Sequence, residues 1–184
     1  MGSLRAPGAP RCGWRQCEYP RWIHGQALQA AAIKQNHKCF KLLLDCGADV
    51  HAQGGYFGNA LQASASTGCE VKALLERNCR VAIEGGTYGN ALQVASRNGY
   101  TGTICILLEA GTDVNARGGP FGYPLQAAAS NGPELACEFL INKGALVNAL
   151  QAASLNGRTR VVELLLRHGA EVEAFIVSLF SLLV

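Results

Sequence analysis

Apolar positions along the chain are grouped into paired blocks, an alanine-rich block followed by a leucine-rich one. A Leu-Gln pair marks the first block of each set and occurs at Leu28-Gln29, Leu61-Gln62, Leu92-Gln93, Leu125-Gln126 and Leu150-Gln151. Successive pairs lie 33, 31, 33 and 25 residues apart. Periods of this length are typical of stacked helical repeats. The pattern therefore predicts five units, each made of two short helices.

The fifth unit shows the two predicted helices most plainly. The first covers residues 148–155, Asn156-Gly157 forms the turn, and apolar side chains from Val161 to Leu166 give the second helix its buried face. Gly169 then ends the unit in the left-handed conformation that glycine adopts at low cost. Equivalent stops in the other units are Gly47, Asn78, Gly111 and Gly144. The register predicts first helices that begin near residues 27, 60, 91, 124 and 149.

The first helices carry their own start signals. Asn59, Asn90 and Asn148 each precede the glutamine of a Leu-Gln pair by three residues, which is the spacing of a capping box. In the fourth unit Tyr123 replaces the asparagine, and Pro124 presets the backbone of the first helical residue instead. We therefore expect capped first helices in most units.

A glycine-rich segment leads from one unit to the next in three places. We call these segments finger 1 (residues 50–58), finger 2 (residues 81–89) and finger 3 (residues 114–122). Each contains a Gly-Gly pair that favours a turn with positive φ. Each also has an aromatic residue before its last glycine, namely Phe57, Tyr88 or Phe121. We expect these rings to pack onto the start of their own helix, with contact to a partner as the alternative.

Two units depart from the common pattern. The second unit is two residues short between Gln62 and Asn78, so its second helix or the turn before it should be truncated. Between Gly144 and Leu150, eight residues of finger are missing relative to the equivalent segments. We therefore expect three full fingers rather than four.

Taken together, these features resemble ankyrin repeats over about residues 26–174. The resemblance rests on Gly-Asn-Ala-Leu-Gln-Ala, a leucine-rich helix, Gly-Ala-Asp-Val and Gly-Gly, which recur in register. The usual Thr-Pro-Leu-His is mostly Asn-Ala-Leu-Gln, a variant similar to that of filamentous-fungal arrays. The resemblance implies an all-α solenoid with projecting β-hairpin fingers, which binds other proteins and has no catalytic site of its own.

Charge sets the beginning of the chain apart from the repeats. The net charge is +3. All of it is carried by the first 25 residues, which hold Arg5, Arg11, Arg15 and Arg21 against Glu18. A nucleic-acid-binding surface needs clustered positive charge, and the balanced repeat region offers none. We therefore expect no nucleic-acid partner.

The chain divides into three parts by composition. Residues 1–25 are predicted to be a poorly ordered basic lead, residues 26–174 the repeat domain, and residues 175–184 an apolar tail. This tail is too short to span a bilayer, so no membrane span is expected. Two interpretations of the tail stay open: it covers the apolar end of the last unit, or it promotes aggregation.

The cysteines and histidines raise the question of a chemical site. Eight cysteines without the close spacing of a small disulfide framework favour reduced thiols and an intracellular protein, cytoplasmic or nuclear. His37, Cys39, Cys46 and His51 have zinc-ligand chemistry, but the repeat register accounts for their positions. The Gly-Gly segments lack the Lys-Ser/Thr ending of a phosphate-binding loop. We predict no catalytic, cofactor or metal site, and a thiol or zinc enzyme remains the remote alternative.

Differences between the fingers indicate where a partner would bind. Positions that are constant among the copies serve the scaffold, whereas positions that vary at the tips are better candidates for recognition. The candidate partner-binding residues are Gln53, Tyr56, Glu84, Thr87, Arg117, Pro120 and Tyr123. We predict a monomeric module that binds a protein partner through these tips and the concave first-helix surface. The alternative is a sensing fragment related to large receptors that join an NTPase domain to ankyrin repeats.

Overall fold

The computed structural model describes residues 21–131, 133–146 and 148–170. These ranges contain ten α-helices and no β-strand. The helices are α1 (Arg21–Ile33), α2 (His37–Asp45), α3 (Ala60–Thr67), α4 (Val71–Leu75), α5 (Ala91–Asn98), α6 (Thr101–Glu109), α7 (Pro124–Asn131), α8 (Glu134–Asn142), α9 (Leu150–Leu155) and α10 (Thr159–Arg167). The predicted all-α solenoid is confirmed. The predictions for residues 1–20 and for the apolar tail lie outside the described residues.

The odd-numbered helices form one layer, and the even-numbered helices form a second, which we call the outer layer. Helices α1, α3, α5, α7 and α9 pack side by side in chain order, and each contacts the next even-numbered helix of its own unit. Buried alanines such as Ala63 and Ala95 allow the first helices to approach closely, while Leu74, Leu107 and Leu140 fill the space between the layers. One apolar core therefore runs through all five units.

Three first helices begin where the repeat register places them, at Ala60, Ala91 and Pro124, and α9 begins at Leu150. Helix α1 begins at Arg21, whereas the repeat register places its start near residue 27. The Leu-Gln pairs fix only the phase of the repeat, and no proline lies between Arg21 and Gln26 to stop the helix from extending toward the N-terminus. The domain boundaries at residues 25 and 174 remain predictions.

Asparagine caps begin α3 and α5. The Gln62 N–H donates to Asn59 Oδ1 at 2.9 Å. At α5 the Gln93 N–H donates to Asn90 Oδ1, and the Asn90 N–H donates to Gln93 Oε1 at 3.0 Å. The predicted capping box is therefore confirmed at Asn90.

The predicted cap at Asn148 is wrong. The N-cap of α9 is Ala149, and no side chain caps this helix. The extended backbones of Asn59 and Asn90, with ψ near 180°, direct each side chain over the first turn, whereas Ala149 has ψ of 6°. The missing finger leaves the chain without the extended segment that a cap requires.

The second unit has the truncated helix that its length predicts. Helix α4 spans five residues, whereas α2, α6, α8 and α10 span nine each. Polar contacts connect this unit to the first: Glu70 contacts His37 Nδ1. Arg77 forms an ion pair with Asp45 at 2.9 Å and donates to the Leu44 carbonyl at 3.0 Å. These contacts join the outer layers of units 1 and 2 beside the shortened helix.

Each finger folds into a tight loop closed by a single antiparallel bridge. The bridges join Gly54 to Gly58, Gly85 to Gly89, and Gly118 to Gly122. In each loop the first glycine N–H donates to the carbonyl of the last, at 2.7, 2.8 and 2.8 Å. The described residues therefore contain the three predicted fingers, each reduced to one bridge.

The junction between α8 and α9 is held by a side chain instead. Asn115 Nδ2 donates to the Gly144 carbonyl at 3.1 Å, and Asn115 Oδ1 accepts from the Leu146 N–H at 2.8 Å. Finger 3 therefore supports the connection that lacks a finger of its own.

None of the described helices is long and apolar enough to cross a bilayer. The longest, α1, has 13 residues, whereas a span needs about 20.

Candidate partner-binding face

The three fingers stack on one another beside the first-helix layer. A Cβ atom on Gly58 would lie 2.7 Å from the Gly86 nitrogen, and one on Gly119 would lie 2.8 Å from the Gly89 nitrogen. Gly58, Gly86, Gly89 and Gly119 all have positive φ. Only glycine meets both requirements at these positions, so neighbouring finger backbones touch directly.

Glutamines of the first helices hold the fingers in place. Gln93 is fully buried, and its Nε2 donates to the Gly118 and Gly122 carbonyls at 2.6 and 2.9 Å. Gln62 does the same for the carbonyls of finger 2. Each of these side chains therefore links the start of its own helix to the finger one unit further along the chain.

The same link is weaker at the two ends of the series. Gln29 contacts the Ala52 and Gly58 carbonyls of finger 1, both at 3.5 Å. Gln126 donates to the Asn148 carbonyl at 3.1 Å, where a fourth finger would otherwise lie. The capping-box spacing predicted the contact of Gln93 with the start of its own helix, but it gave no sign of the bonds from Gln93 to finger 3.

Aromatic side chains of the fingers form a continuous row, which we call the aromatic row: Tyr56, Phe57, Tyr88 and Phe121. The Tyr56 and Tyr88 ring centroids are 5.7 Å apart in an edge-to-face arrangement, and Tyr88 stacks on Phe121 at 6.2 Å. The Tyr56 and Tyr88 hydroxyls lie 2.8 Å apart, in hydrogen-bond contact. The expectation that each ring packs onto the start of its own helix did not include these contacts between fingers.

The hydrogen bond between Tyr56 and Tyr88 also affects the pKa of Tyr56. The pKa of Tyr56 is raised above its ordinary value, mainly by the hydrogen bond with Tyr88 and further by partial desolvation. The nearby charge of Arg97 acts in the opposite direction. The Tyr56 hydroxyl therefore stays protonated at neutral pH and remains hydrogen-bonded to Tyr88.

One cation from the helix layer reaches the aromatic row. Arg97 lies in the last turn of α5. Its guanidinium carbon is 5.2 Å from the Tyr88 ring centroid and 5.6 Å from that of Phe121. These distances are typical of cation–π contacts. The side chain therefore extends from the helix layer to the fingers.

The seven candidate residues lie on the finger side of the molecule. Six are exposed, namely Gln53, Tyr56, Glu84, Thr87, Arg117 and Pro120, whereas Tyr123 is half-buried at the start of α7. We call the six exposed residues, the aromatic row and Arg97 together the finger face.

Some of these candidates are in contact and others are not. The Thr87 N–H and Oγ1 both donate to the Tyr56 carbonyl, at 2.9 and 3.1 Å. The Glu84 carboxylate lies against Gly118 of finger 3. In the described part of the chain, no ion pair involves Arg117. The tips of fingers 1 and 2 therefore form one continuous surface.

Arg97 is the functional candidate that sequence reasoning missed. A signal was present, because Arg97 is the only charged residue in α3, α5, α7 and α9. The equivalent positions in α3 and α7 are Ser66 and Ser130. A single cation among small polar residues on an otherwise uncharged layer is unusual enough to be noticed, but its contact with the fingers depends on the stack.

The residues with zinc-ligand chemistry do not gather into a site. No group of three metal-ligating side chains occurs among the described residues. Burial, followed by the charge of Asp49, raises the pKa of Cys79 to about 11. Burial, followed by the charge of Glu134, raises the pKa of Cys137 to about 12. A nucleophilic cysteine requires the opposite shift, so these two thiols are poor candidates for catalysis.

The expectation of reduced thiols holds for most of the described cysteines. Cys39, Cys69, Cys79, Cys105 and Cys137 are free. Cys46 is disulfide-bonded, which corrects that expectation at one position. Cys12 and Cys17 lie outside the described residues.

An open groove of about 470 Å³ lies on the outer layer between α6 and α8. Its lining includes Thr101, Cys105, Glu138 and Phe139. Hydrogen bonding to Glu109 raises the pKa of the Cys105 thiol, so this groove has no activated nucleophile at that position.

Comparison with known families agrees with the repeat organisation. A family model described as ankyrin repeats (3 copies) matches residues 28–118, and one described as ankyrin repeat matches residues 147–175. No curated protein matches the chain.

Proposed function

The chain belongs to the ankyrin repeat family, and on that premise we propose that it binds a partner protein through its finger face. Ankyrin repeats generally mediate protein–protein interaction. The observation that carries the proposal is the exposed side of the stacked fingers, where Tyr56 is 58% exposed beside variable polar tips. Aromatic and arginine side chains on a rigid base are typical of protein interfaces.

The framework under this face is well suited to recognition. The glycine contacts and buried glutamines fix the finger backbones relative to one another. The residues that differ between copies, such as Gln53 and Arg117, project from this fixed base. A rigid surface loses little conformational entropy on binding, which favours tip side chains as the determinants of specificity.

Other aspects of the function remain predictions. Ankyrin repeat proteins are typically non-enzymatic interaction modules, and the raised thiol pKa values of Cys79 and Cys137 favour that role here. An intracellular location stays a prediction from the cysteine spacing. The disulfide at Cys46 is the kind of bond that persists in oxidising compartments. The monomeric state, the filamentous-fungal type and the alternative of a receptor's sensing fragment rest on the sequence alone.

The proposal is tested by replacing the tips and leaving the scaffold intact. We expect the triple variant Tyr56→Ala, Glu84→Ala and Arg117→Ala to keep its helical circular dichroism. It should bind a partner captured by the wild-type protein at least about tenfold more weakly, as expected when interface anchors are removed. The affinity of the purified partner for each variant is the measurement.

A matched control changes an apolar, an acidic and a basic residue on the outer layer. Leu42→Ala, Glu163→Ala and Arg160→Ala also leave the net charge unchanged, and Leu42 is 59% exposed. This variant should bind the partner as the wild type does. A partner that binds the finger variant at full strength, or that is lost with the outer-layer variant, would remove the fingers from the proposed function.

A further inference from the structure

The guanidinium of Arg97 is held in place but not neutralised. Its contacts are the faces of Tyr88 and Phe121. The ion pairs in the described residues are those of His37 with Glu70 and Arg77 with Asp45, and no side-chain hydrogen bond from Arg97 accompanies the ring contacts. Its N–H donors are therefore available to a ligand on the finger face.

No acidic residue in the described part of the chain forms an ion pair with Arg97. Glu84, the acidic residue among the finger tips, has its carboxylate against the backbone of Gly118 and forms no ion pair with Arg97. Tyr56 is close enough for the Arg97 charge to act on its hydroxyl. Within the described residues, the positive charge of Arg97 therefore remains uncompensated on the finger face.

The spacing of the aromatic row matches an extended chain. Successive rings from neighbouring fingers are 5.7 Å apart between Tyr56 and Tyr88 and 6.2 Å apart between Tyr88 and Phe121. Side chains on one side of an extended peptide repeat every about 6.6 Å. A peptide that runs along the fingers would therefore place alternate side chains in step with the rings.

We infer that the finger face binds an extended segment of a partner protein and that Arg97 recognises an aspartate or glutamate side chain in that segment. A guanidinium binds a carboxylate through two parallel N–H···O bonds, and its stacking on Tyr88 and Phe121 orients it in advance. Alternate apolar or aromatic residues of the segment would contact the aromatic row. This inference rests on the proposed function and specifies the chemistry of the partner.

A displayed library of random nine-residue peptides tests the inference directly, because selection from it does not require the partner to be identified first. Selection is run in parallel on the wild-type protein, Arg97→Gln, the control Arg160→Gln on the outer layer, and the finger variant of Tyr56, Glu84 and Arg117. We expect wild type and Arg160→Gln to enrich peptides that carry an acidic residue. Arg97→Gln should lose that enrichment.

A double-mutant cycle then separates recognition from packing. For a selected peptide, changing its acidic residue to the matching amide should weaken binding to the wild type roughly 10- to 100-fold and leave binding to Arg97→Gln nearly unchanged. Arg97→Lys should give an intermediate affinity, since it keeps the charge but loses the planar geometry. Thermal unfolding of each variant checks that the fold is retained.

The outcomes distinguish the inference from the proposed function. Peptides that require the finger tips but show no acidic preference, or whose acidic residue matters equally with and without Arg97, would overturn the inference and leave the proposed function standing. A wild-type protein that enriches no peptide beyond the finger variant would overturn the binding of extended segments by this face altogether.

Discussion

At the residue scale, the buried side chain of Gln93 satisfies backbone groups in two places. Gln93 accepts from the Asn90 N–H and donates to the Gly118 and Gly122 carbonyls. Buried peptide groups are costly when they lack a partner. This side chain therefore satisfies both the first turn of α5 and the loop of finger 3, and no apolar residue of similar size can replace it.

Replacing this glutamine should be strongly destabilising. We expect Gln93→Ala to lower the free energy of unfolding by about 3 kcal/mol or more, since it leaves the Asn90 N–H and the Gly118 carbonyl unpaired, removes one of the two bonds to the Gly122 carbonyl and opens a cavity. Gln126→Ala is the matched control, because Gln126 also accepts from the N–H at the start of its helix, that of Tyr123, but is only half-buried and donates to a single carbonyl. Its loss should be about 1 kcal/mol. Equal losses in urea unfolding would show that the finger carbonyls contribute little.

At the element scale, the fingers are defined by how closely they approach one another. Gly89 and Gly111 have almost the same left-handed backbone, with φ of 92° and 88°. Around Gly111 a Cβ would meet no atom within 4 Å, whereas at Gly89 it would lie 2.9 Å from the Gly119 nitrogen. Gly111 ends a helix, and only its backbone conformation requires glycine. Gly89 has the same conformation and in addition allows two fingers to touch.

Substituting Gly89 and Gly111 separately distinguishes the cost of conformational strain from the cost of disturbing the contact between fingers. Gly111→Ala should cost about 1–2 kcal/mol of stability, the usual cost of an L-residue in the left-handed region. Gly89→Ala carries the same conformational cost and in addition displaces finger 3 and Gln93, so its loss should be larger by at least about 1 kcal/mol. Denaturant unfolding of the two variants measures the difference. Losses of equal size would mean that the fingers tolerate separation.

At the scale of the whole molecule, each unit contacts mainly its neighbours. Stability in such proteins is close to a sum of unit and interface terms, so it need not be uniform along the chain. The last unit lacks the connecting finger, and its first helix is held by packing on α7 together with the bonds of Gln126 and Asn115. Asn115 therefore has an influence on α9 and α10 that its place in finger 3 would not suggest.

Loss of this asparagine should loosen one end of the stack only. In Asn115→Ala we expect amide hydrogen exchange in α9 and α10 to become faster by about tenfold, because the Gly144 carbonyl and the Leu146 N–H lose their partner. Exchange in α3 and α5 serves as the internal reference and should not change. Acceleration spread evenly over all five units would instead indicate that the solenoid unfolds as one cooperative block.

The sequence by itself determined the repeat, the pairing of helices, the shortened α4 and the three fingers. These features follow from local patterns: the Leu-Gln register, the glycine stops and the length of each unit are all read along the chain. The capping box at Asn90 is equally local, since its two residues are three positions apart. The same local pattern failed to predict the start of α9 at Asn148, because the missing finger changes the backbone that leads into this helix.

Only the tertiary structure decided how the units act on one another. Gln93 contacts carbonyls 25 and 29 residues away, and Arg97 contacts Phe121 of a different finger. Such contacts depend on the distance and rotation between stacked units, which the pattern of a single unit does not contain. The sequence thus named the finger tips as binding candidates, but the aromatic row and the free guanidinium beside it exist only once the fingers stack.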